Sequence, residues 1–281
     1  MGTVAGKIAL VTGAGGGIGQ GIALELARQG AHVALHYANQ ATGAHETMQE
    51  CQRMGLENKV LMVQGDLSQV SECRRVVDTV TQAWDGIGIL VNNAGVTSAR
   101  DFLTVDEETY NQVFHLNMRD YFFCAQQAIR SMLKRGGGSI VNISSAHSFG
   151  GFPRHTAYAA TKGAINAFTR QLAIDMAPHH IRVNAVAPGI IESPDISPLT
   201  VTLLPSAIPL CHGDASVIQR MSRLLLPSWL HQRPILLPAR FSVWMEERQH
   251  AWLSGGIRVS SHNKSRSVLI LILSGTHVLA N

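Results

Sequence analysis

The sequence is poor in the features that build disulfide frameworks, membrane spans and charged surfaces. Cysteine occurs four times in 281 residues, at Cys51, Cys73, Cys124 and Cys211, with no two in a Cys-x-x-Cys arrangement. Thiols scattered in this way argue against a zinc site or a disulfide-stapled domain and suit a reducing cytoplasm. A cytoplasmic protein with no metal is therefore expected. The longest apolar run near the C-terminus, Val268 to Leu273, is too short to cross a bilayer. No basic segment followed by an apolar stretch opens the chain, so neither a secretory signal nor a membrane partner is expected.

Charge is sparse as well, at 15% of residues, and the formal net charge of +4 is unevenly placed. Residues 1–193 hold 15 basic and 15 acidic side chains by count, which leaves 8 basic and 4 acidic for the remainder. The main body is neutral and has no basic stripe interleaved with aromatics, so nucleic acid is not an expected partner.

What the first two-thirds does contain is alternation. Short runs rich in Val, Ile and Leu lie at 7–12, 32–36, 60–64, 87–91, 139–143 and 182–186. Between them, apolar residues recur at three- and four-residue spacing, as in Ile22-Ala23-Leu26-Ala27, and Gly30, Gly55 and Gly86 close helical stretches. Strands too continuously apolar to have a wet face, separated by helices, imply a parallel sheet covered on both sides. The expected fold is a single α/β domain over 1–193, a doubly wound parallel sheet of the Rossmann type.

Chemistry-bearing residues fall at the ends of these strands. Thr12-Gly13-Ala14-Gly15-Gly16-Gly17-Ile18-Gly19 follows the first strand and opens a helix. Glycines there let a pyrophosphate reach main-chain amides at the positive end of the helix. Asp66, followed by Leu67, ends the third strand, where its carboxylate can accept from an adenine amino group or else start a helix. Asn92-Asn93-Ala94-Gly95 and Pro188-Gly189 end the fourth and sixth strands at the edge where open parallel sheets bind ligands, with Ser193 able to reach a carboxamide. Tyr158 and Lys162 are four apart on a helical stretch and so share a face, downstream of Ser145 at a strand end. An ammonium beside a phenol stabilises the phenolate, which suits a tyrosine that exchanges protons near neutral pH.

Taken together, the glycine loop, Asn-Asn-Ala-Gly and the Ser…Tyr-x-x-x-Lys pattern resemble the short-chain dehydrogenases/reductases, from about Lys7 to Ser193. The resemblance implies an oxidoreductase that moves a hydride between a nicotinamide cofactor and a carbonyl or secondary alcohol, of the 3-oxoacyl-carrier-protein or sugar/alcohol type. It makes Tyr158 the acid/base, Lys162 the group that lowers its pKa and holds the ribose, and Ser145 (rather than Ser144) the anchor of the substrate oxygen. Asn117 corresponds to an asparagine that supports a water-linked proton relay. Thr12, Gly13, Gly17, Ile18, Gly19, Tyr37, Asp66, Leu67, Asn93, Ala94 and Gly95 become cofactor contacts, as do Tyr158, Lys162, Pro188, Gly189, Ile191 and Ser193. His147 and His155 flank a segment that lines the substrate pocket in the family. Relatives that prefer NAD end the second strand on an acidic residue, and here that position is Tyr37, so NADP(H) is favoured over NAD(H). The helices around Asn117 and Tyr158 imply a homodimer.

Residues 194–281 break the pattern. They hold seven of the ten prolines and three of the four tryptophans but only four of the 26 glycines. The family's closing helix and last strand, ending near Asp-Gly-Gly, are not recognisable there. Trp244-Met245-Glu246-Glu247, read one base earlier, can encode Asp-Gly-Gly, which points to a shifted reading frame or retained non-coding sequence. A divergent tail that caps the site or binds a partner is the competing reading. With it stand two alternatives to catalysis, a non-catalytic dinucleotide-binding or subunit-pairing protein and a defective product. Val268 to Leu273 is the one tail segment expected to replace the missing strand.

Overall fold

The computed structural model describes residues 4–56 and 59–189 and the backbone of two short strands, 242–244 and 270–274. The chain runs β1 (Ile8–Val11), α1 (Gly17–Arg28), β2 (His32–Tyr37), α2 (Ala41–Arg53), β3 (Val60–Gln64), α3 (Val70–Trp84) and β4 (Ile89–Asn92). It continues with α4 (Glu107–Phe114), α5 (Asp120–Lys134), β5 (Gly138–Ile143), α6 (Thr156–Met176) and β6 (Ile181–Pro188). The strands β7 (Ser242–Trp244) and β8 (Ile270–Ser274) follow.

Strand order is β3-β2-β1-β4-β5-β6-β8-β7, and the first six are parallel. The order reverses between β1 and β4, which opens a crevice at the C-terminal ends of the strands. Alternate residues of each strand feed two cores. Ile8 and Leu10 of β1 pack under α3 and α5, while Ala9 and Val11 pack under α1 and α2. Leu90 and Ile140 join the first core, and Ile89, Val91, Val141 and Ile143 the second. Burial on both faces is why these segments read as unbroken apolar runs.

Three details differ from expectation. The sheet is mixed, because β8 pairs antiparallel with β6 (Val186 opposite Ile272) and β7 antiparallel with β8. The predicted 268–273 strand thus appears as Ile270–Ser274, and Ser242–Trp244 supplies a second tail strand that was not anticipated. At the end of α3 Asp85 is left-handed (φ 55°) ahead of the expected Gly86, which has φ 128° and donates its amide to the Thr81 carbonyl at 3.0 Å. A short polar side chain tolerates that conformation better than most.

Buried polar side chains tie the layers together. Asn92 at the end of β4 donates to Asn142 of β5 at 2.9 Å, and Asn142 donates to the Thr169 hydroxyl of α6 at 2.9 Å. A chain of that kind fixes the register of two strands and a helix, because each unmade bond would leave a buried amide unsatisfied.

Candidate active site

The glycine loop is held open by the loop beside it. Thr12 is fully buried, and its hydroxyl accepts the amides of Asn93 (2.9 Å) and Ala94 (3.0 Å). In return the Asn93 side-chain amide donates to the carbonyls of Thr12 (2.9 Å) and Gly13 (3.1 Å). Gly13 takes φ 64°, and a Cβ there would stand 3.0 Å from the Cα of Ala94, so only glycine fits. At Gly17 (φ 53°) nothing lies within 4 Å of where a Cβ would be. The result is an open cradle over the first turn of α1, whose leading amides lack intrahelical partners and whose dipole favours an anion. These residues fit a dinucleotide pyrophosphate.

His36, which the sequence analysis passed over, locks the same loop from β2. Its Nδ1 accepts the Gly13 amide at 3.1 Å, and its Nε2 lies 3.0 Å from the Gly65 carbonyl, to which it donates. Burial lowers its pKa from 6.5 to about 4, so the ring is neutral and both nitrogens are used. A sign follows for stability. Between pH 6.5 and 4 the unfolded chain takes up a proton at His36 that the fold does not, so acid destabilises the native state. The drop to about 4 corresponds to about 3 kcal/mol by pH 4. Urea unfolding at stepped pH is expected to show a shallower acid loss in His36→Gln than in the parent; parallel slopes would exclude His36 as the group.

The remaining predicted cofactor contacts line the same edge. Asp66 is exposed, and its carboxylate accepts the Ser68 amide at 3.0 Å in a turn before α3, whose cap is Gln69. The Leu67 side chain is buried in the core, so only its main chain faces the crevice edge. Tyr37 is half-buried at the end of β2, followed by Ala38 and Asn39 with no carboxylate. Ile191 and Ser193 lie outside the described residues.

Asn117 sits in a π-helical turn, His115–Arg119, between α4 and α5. Turns of that type recur at functional sites. Its side chain is wholly spent on structure. Oδ1 accepts the Val96 amide at 2.7 Å, while Nδ2 donates to the Val96 carbonyl (2.8 Å) and the Thr161 hydroxyl (3.2 Å). It therefore clamps the loop after β4 onto α6, and any part in a proton relay falls to its main chain.

Ser145, Tyr158 and Lys162 meet at a cavity of about 240 Å³, with Ile18, Asn93 and Gly189 on its other walls. A larger cavity, about 940 Å³, opens at the opposite end of the sheet between Lys7, Arg130 and Arg182, away from these groups. Ser144 is turned inward, its hydroxyl on the Lys162 carbonyl at 3.2 Å. Ser145 hydrogen-bonds Tyr158 and His147. Lys162 is buried, and its ammonium donates to the Ile143 carbonyl at 2.8 Å while lying 5.5 Å from the ring centres of Tyr158 and Tyr121. Burial lowers its pKa to about 8, opposed by Asp120.

At Tyr158 the net shift is upward. Burial raises the phenol above its usual 10, and the opposing influence is the Ser145 hydrogen bond rather than Lys162. Among the described residues no group of three or more His, Cys, Asp or Glu side chains could hold a metal ion. No described helix is long and apolar enough to cross a membrane.

Comparison with known proteins supplies the remaining finding. A family model described as short chain dehydrogenase matches residues 7–200. A short chain dehydrogenase/reductase, AacuN of Aspergillus aculeatus, is 40% identical over 186 residues, 66% of this chain and 69% of that protein. The hydroxynaphthalene reductase-like protein Arp2 of Metarhizium anisopliae is 40% identical over 192 residues, 68% of this chain and 70% of its own length. Among solved structures, a gluconate 5-dehydrogenase from Burkholderia cenocepacia, in complex with NADP and tartrate, is 31% identical. It superposes with a TM-score of 0.63 over 67% of this chain and 73% of its own.

Proposed function

The chain belongs to the short chain dehydrogenase family and is an NAD(P)-dependent oxidoreductase, and from that premise we propose that it reduces a ketone to a secondary alcohol with Tyr158 as the proton donor. The observation that carries this reading is the meeting of Tyr158, Ser145 and Lys162 at the mouth of one cavity, where burial raises the phenol above its usual 10. A protonated acid is what carbonyl reduction requires. The nicotinamide cofactor, when bound, supplies the hydride. Ser145 and Tyr158 hold the substrate oxygen between two donors, and Tyr158 transfers its proton as the alkoxide forms. Lys162, still charged below about pH 8, holds the ribose hydroxyls and offsets the charge left on the phenolate. Asn117 keeps the Val96 loop in place on the wall of the cavity.

A ring ketone fused to an aromatic system is favoured over a 3-oxoacyl chain or a sugar. His147 lies tilted against Phe152 and His155, and both histidines meet Tyr158 edge-on, with ring centres 4.1 to 6.3 Å apart. An aromatic cluster next to the cavity offers edge-to-face contact to an aromatic substrate, and one relative is named for a hydroxynaphthalene. The test is NADPH oxidation by the full-length chain against a panel of bicyclic aromatic ketones, 3-oxoacyl thioesters and sugars. Turnover of none of them would remove the reading.

The cofactor is NADP(H), because β2 ends on Tyr37-Ala38-Asn39 with no carboxylate to repel a 2′-phosphate. No Arg or Lys follows Tyr37 either, so the expected preference is modest, about tenfold or roughly 1.4 kcal/mol. Fluorescence titration with NADPH and NADH measures it, and tighter binding of NADH would reverse the assignment. Pairing of subunits through α5 and α6 follows from Phe122, Leu133 and Ile174, large apolar side chains left 43–45% exposed on those helices. Beyond Ser193, a shifted reading frame remains the proposed origin of the tail; transcript sequencing across codons 185–250 decides between it and a divergent tail.

A further inference from the structure

A serine hydroxyl has one hydrogen and two acceptor sites, and His147 approaches the Ser145 oxygen twice. The His147 main-chain amide donates to Oγ at 3.2 Å, and its ring Nδ1 lies 3.1 Å from the same atom. The ring is wedged in place, 4.1 Å from Phe152, 5.0 Å from His155 and edge-on to Tyr158 at 5.2 Å. Its other nitrogen, Nε2, is buried and has no hydrogen-bond partner among the described residues.

Two tautomers then have opposite consequences. With the proton on Nε2, a buried N–H is left without an acceptor, the rarer and costlier kind of unmet group. The Ser145 hydrogen would also turn to Nδ1, presenting a lone pair to the substrate oxygen. With the proton on Nδ1, both Ser145 acceptor sites are filled from His147, and its single hydrogen has only the cavity left to point into. The unmet group at Nε2 is then a bare lone pair.

We propose that His147 is a positioning residue whose Nδ1–H and main-chain amide together aim the Ser145 hydroxyl hydrogen into the cavity, toward the reacting oxygen. Burial, then the neighbouring His155 and Lys162, lower the His147 pKa to about 4, so the ring carries one proton through the working range. The proposal rests on the assignment of Ser145 and Tyr158 to the reaction.

The tautomer can be read without turnover. Nitrogen-15 NMR of the histidine rings in the unmutated full-length chain at pH 7, with the His147 signals assigned by their loss in His147→Asn, is expected to show a protonated Nδ1 and a bare Nε2. A ring protonated at Nε2 overturns the proposal. In the turnover assay, His147→Phe keeps the ring stack and is expected to lower kcat about tenfold, less than the 10²–10³ lost when a donor is deleted outright. KM for NADPH stays unchanged. His147→Asn, with an amide N–H near the place of Nδ1, recovers kcat to within about threefold. Wild-type kcat in His147→Phe also overturns it. A protein with the expected tautomer that reduces no ketone upholds the hydrogen-bond geometry and removes the proposed reaction instead.

Discussion

Tyr158→Phe is expected to lower ketone reduction by about 10²–10⁴-fold, the range lost with a positioned general acid. NADPH affinity is expected to change by less than about threefold, because Phe keeps the ring that lies beneath the Lys162 ammonium and removes only the hydroxyl. Rate assays and fluorescence titration on the same preparation separate the two. Residual turnover within tenfold of the parent would assign the proton to another donor. The pH dependence carries its own sign. Tyr158 stays protonated past its usual range, so reduction is expected to hold level through neutral pH and to decline first near pH 8, as Lys162 loses its charge.

The second large effect concerns Gly19. In an exposed helix, glycine to alanine is stabilising by up to about 1 kcal/mol. Gly163 in α6, with nothing within 4 Å of its missing Cβ, is expected to follow that rule. Gly19→Ala is expected to do the reverse. Its Cβ would run into the Gly13 carbonyl and stand 2.5 Å from the Asn93 amide nitrogen, and both atoms belong to the network that shapes the cradle. Relief requires α1 to shift off β1, at about 1–3 kcal/mol for an overpacked contact. NADPH affinity falls with it, by about tenfold or more. Urea midpoints of the two variants moving in the same direction would contradict the clash.

Much of this site was legible because its signals are local. A glycine loop between strand and helix, an Asn-Asn-Ala-Gly at a strand end, and Tyr158 with Lys162 one helical turn apart each declare themselves within a few residues. Strand positions were legible because burial on both faces leaves unbroken apolar runs. What escaped depends on partners distant in the chain. His36 looks like a stray polar residue in a strand until Gly13 and Gly65 are brought to its two nitrogens. Asn92, Asn142 and Thr169 are bound through pairs 50 and 27 residues apart, and no spacing rule reaches that far. Asn117 was noticed, but not that its side chain bonds Val96 and Thr161, since a side chain's partners cannot be read from its place in a motif. The upward shift at Tyr158 was not legible for a related reason: four-residue spacing brings Lys162 to the right face but does not say how deeply the phenol is buried.

The mutual bonds of Thr12 and Asn93 bear on how a long ligand is recognised. They join the glycine loop ahead of α1 to the loop after β4 before anything binds, so that the two loops form one preassembled receptor. A fragment seated at either end then inherits a partner subsite already in register. The affinity of the intact dinucleotide should accordingly exceed the product of its halves by the full advantage of tethering, with little lost to ordering the protein.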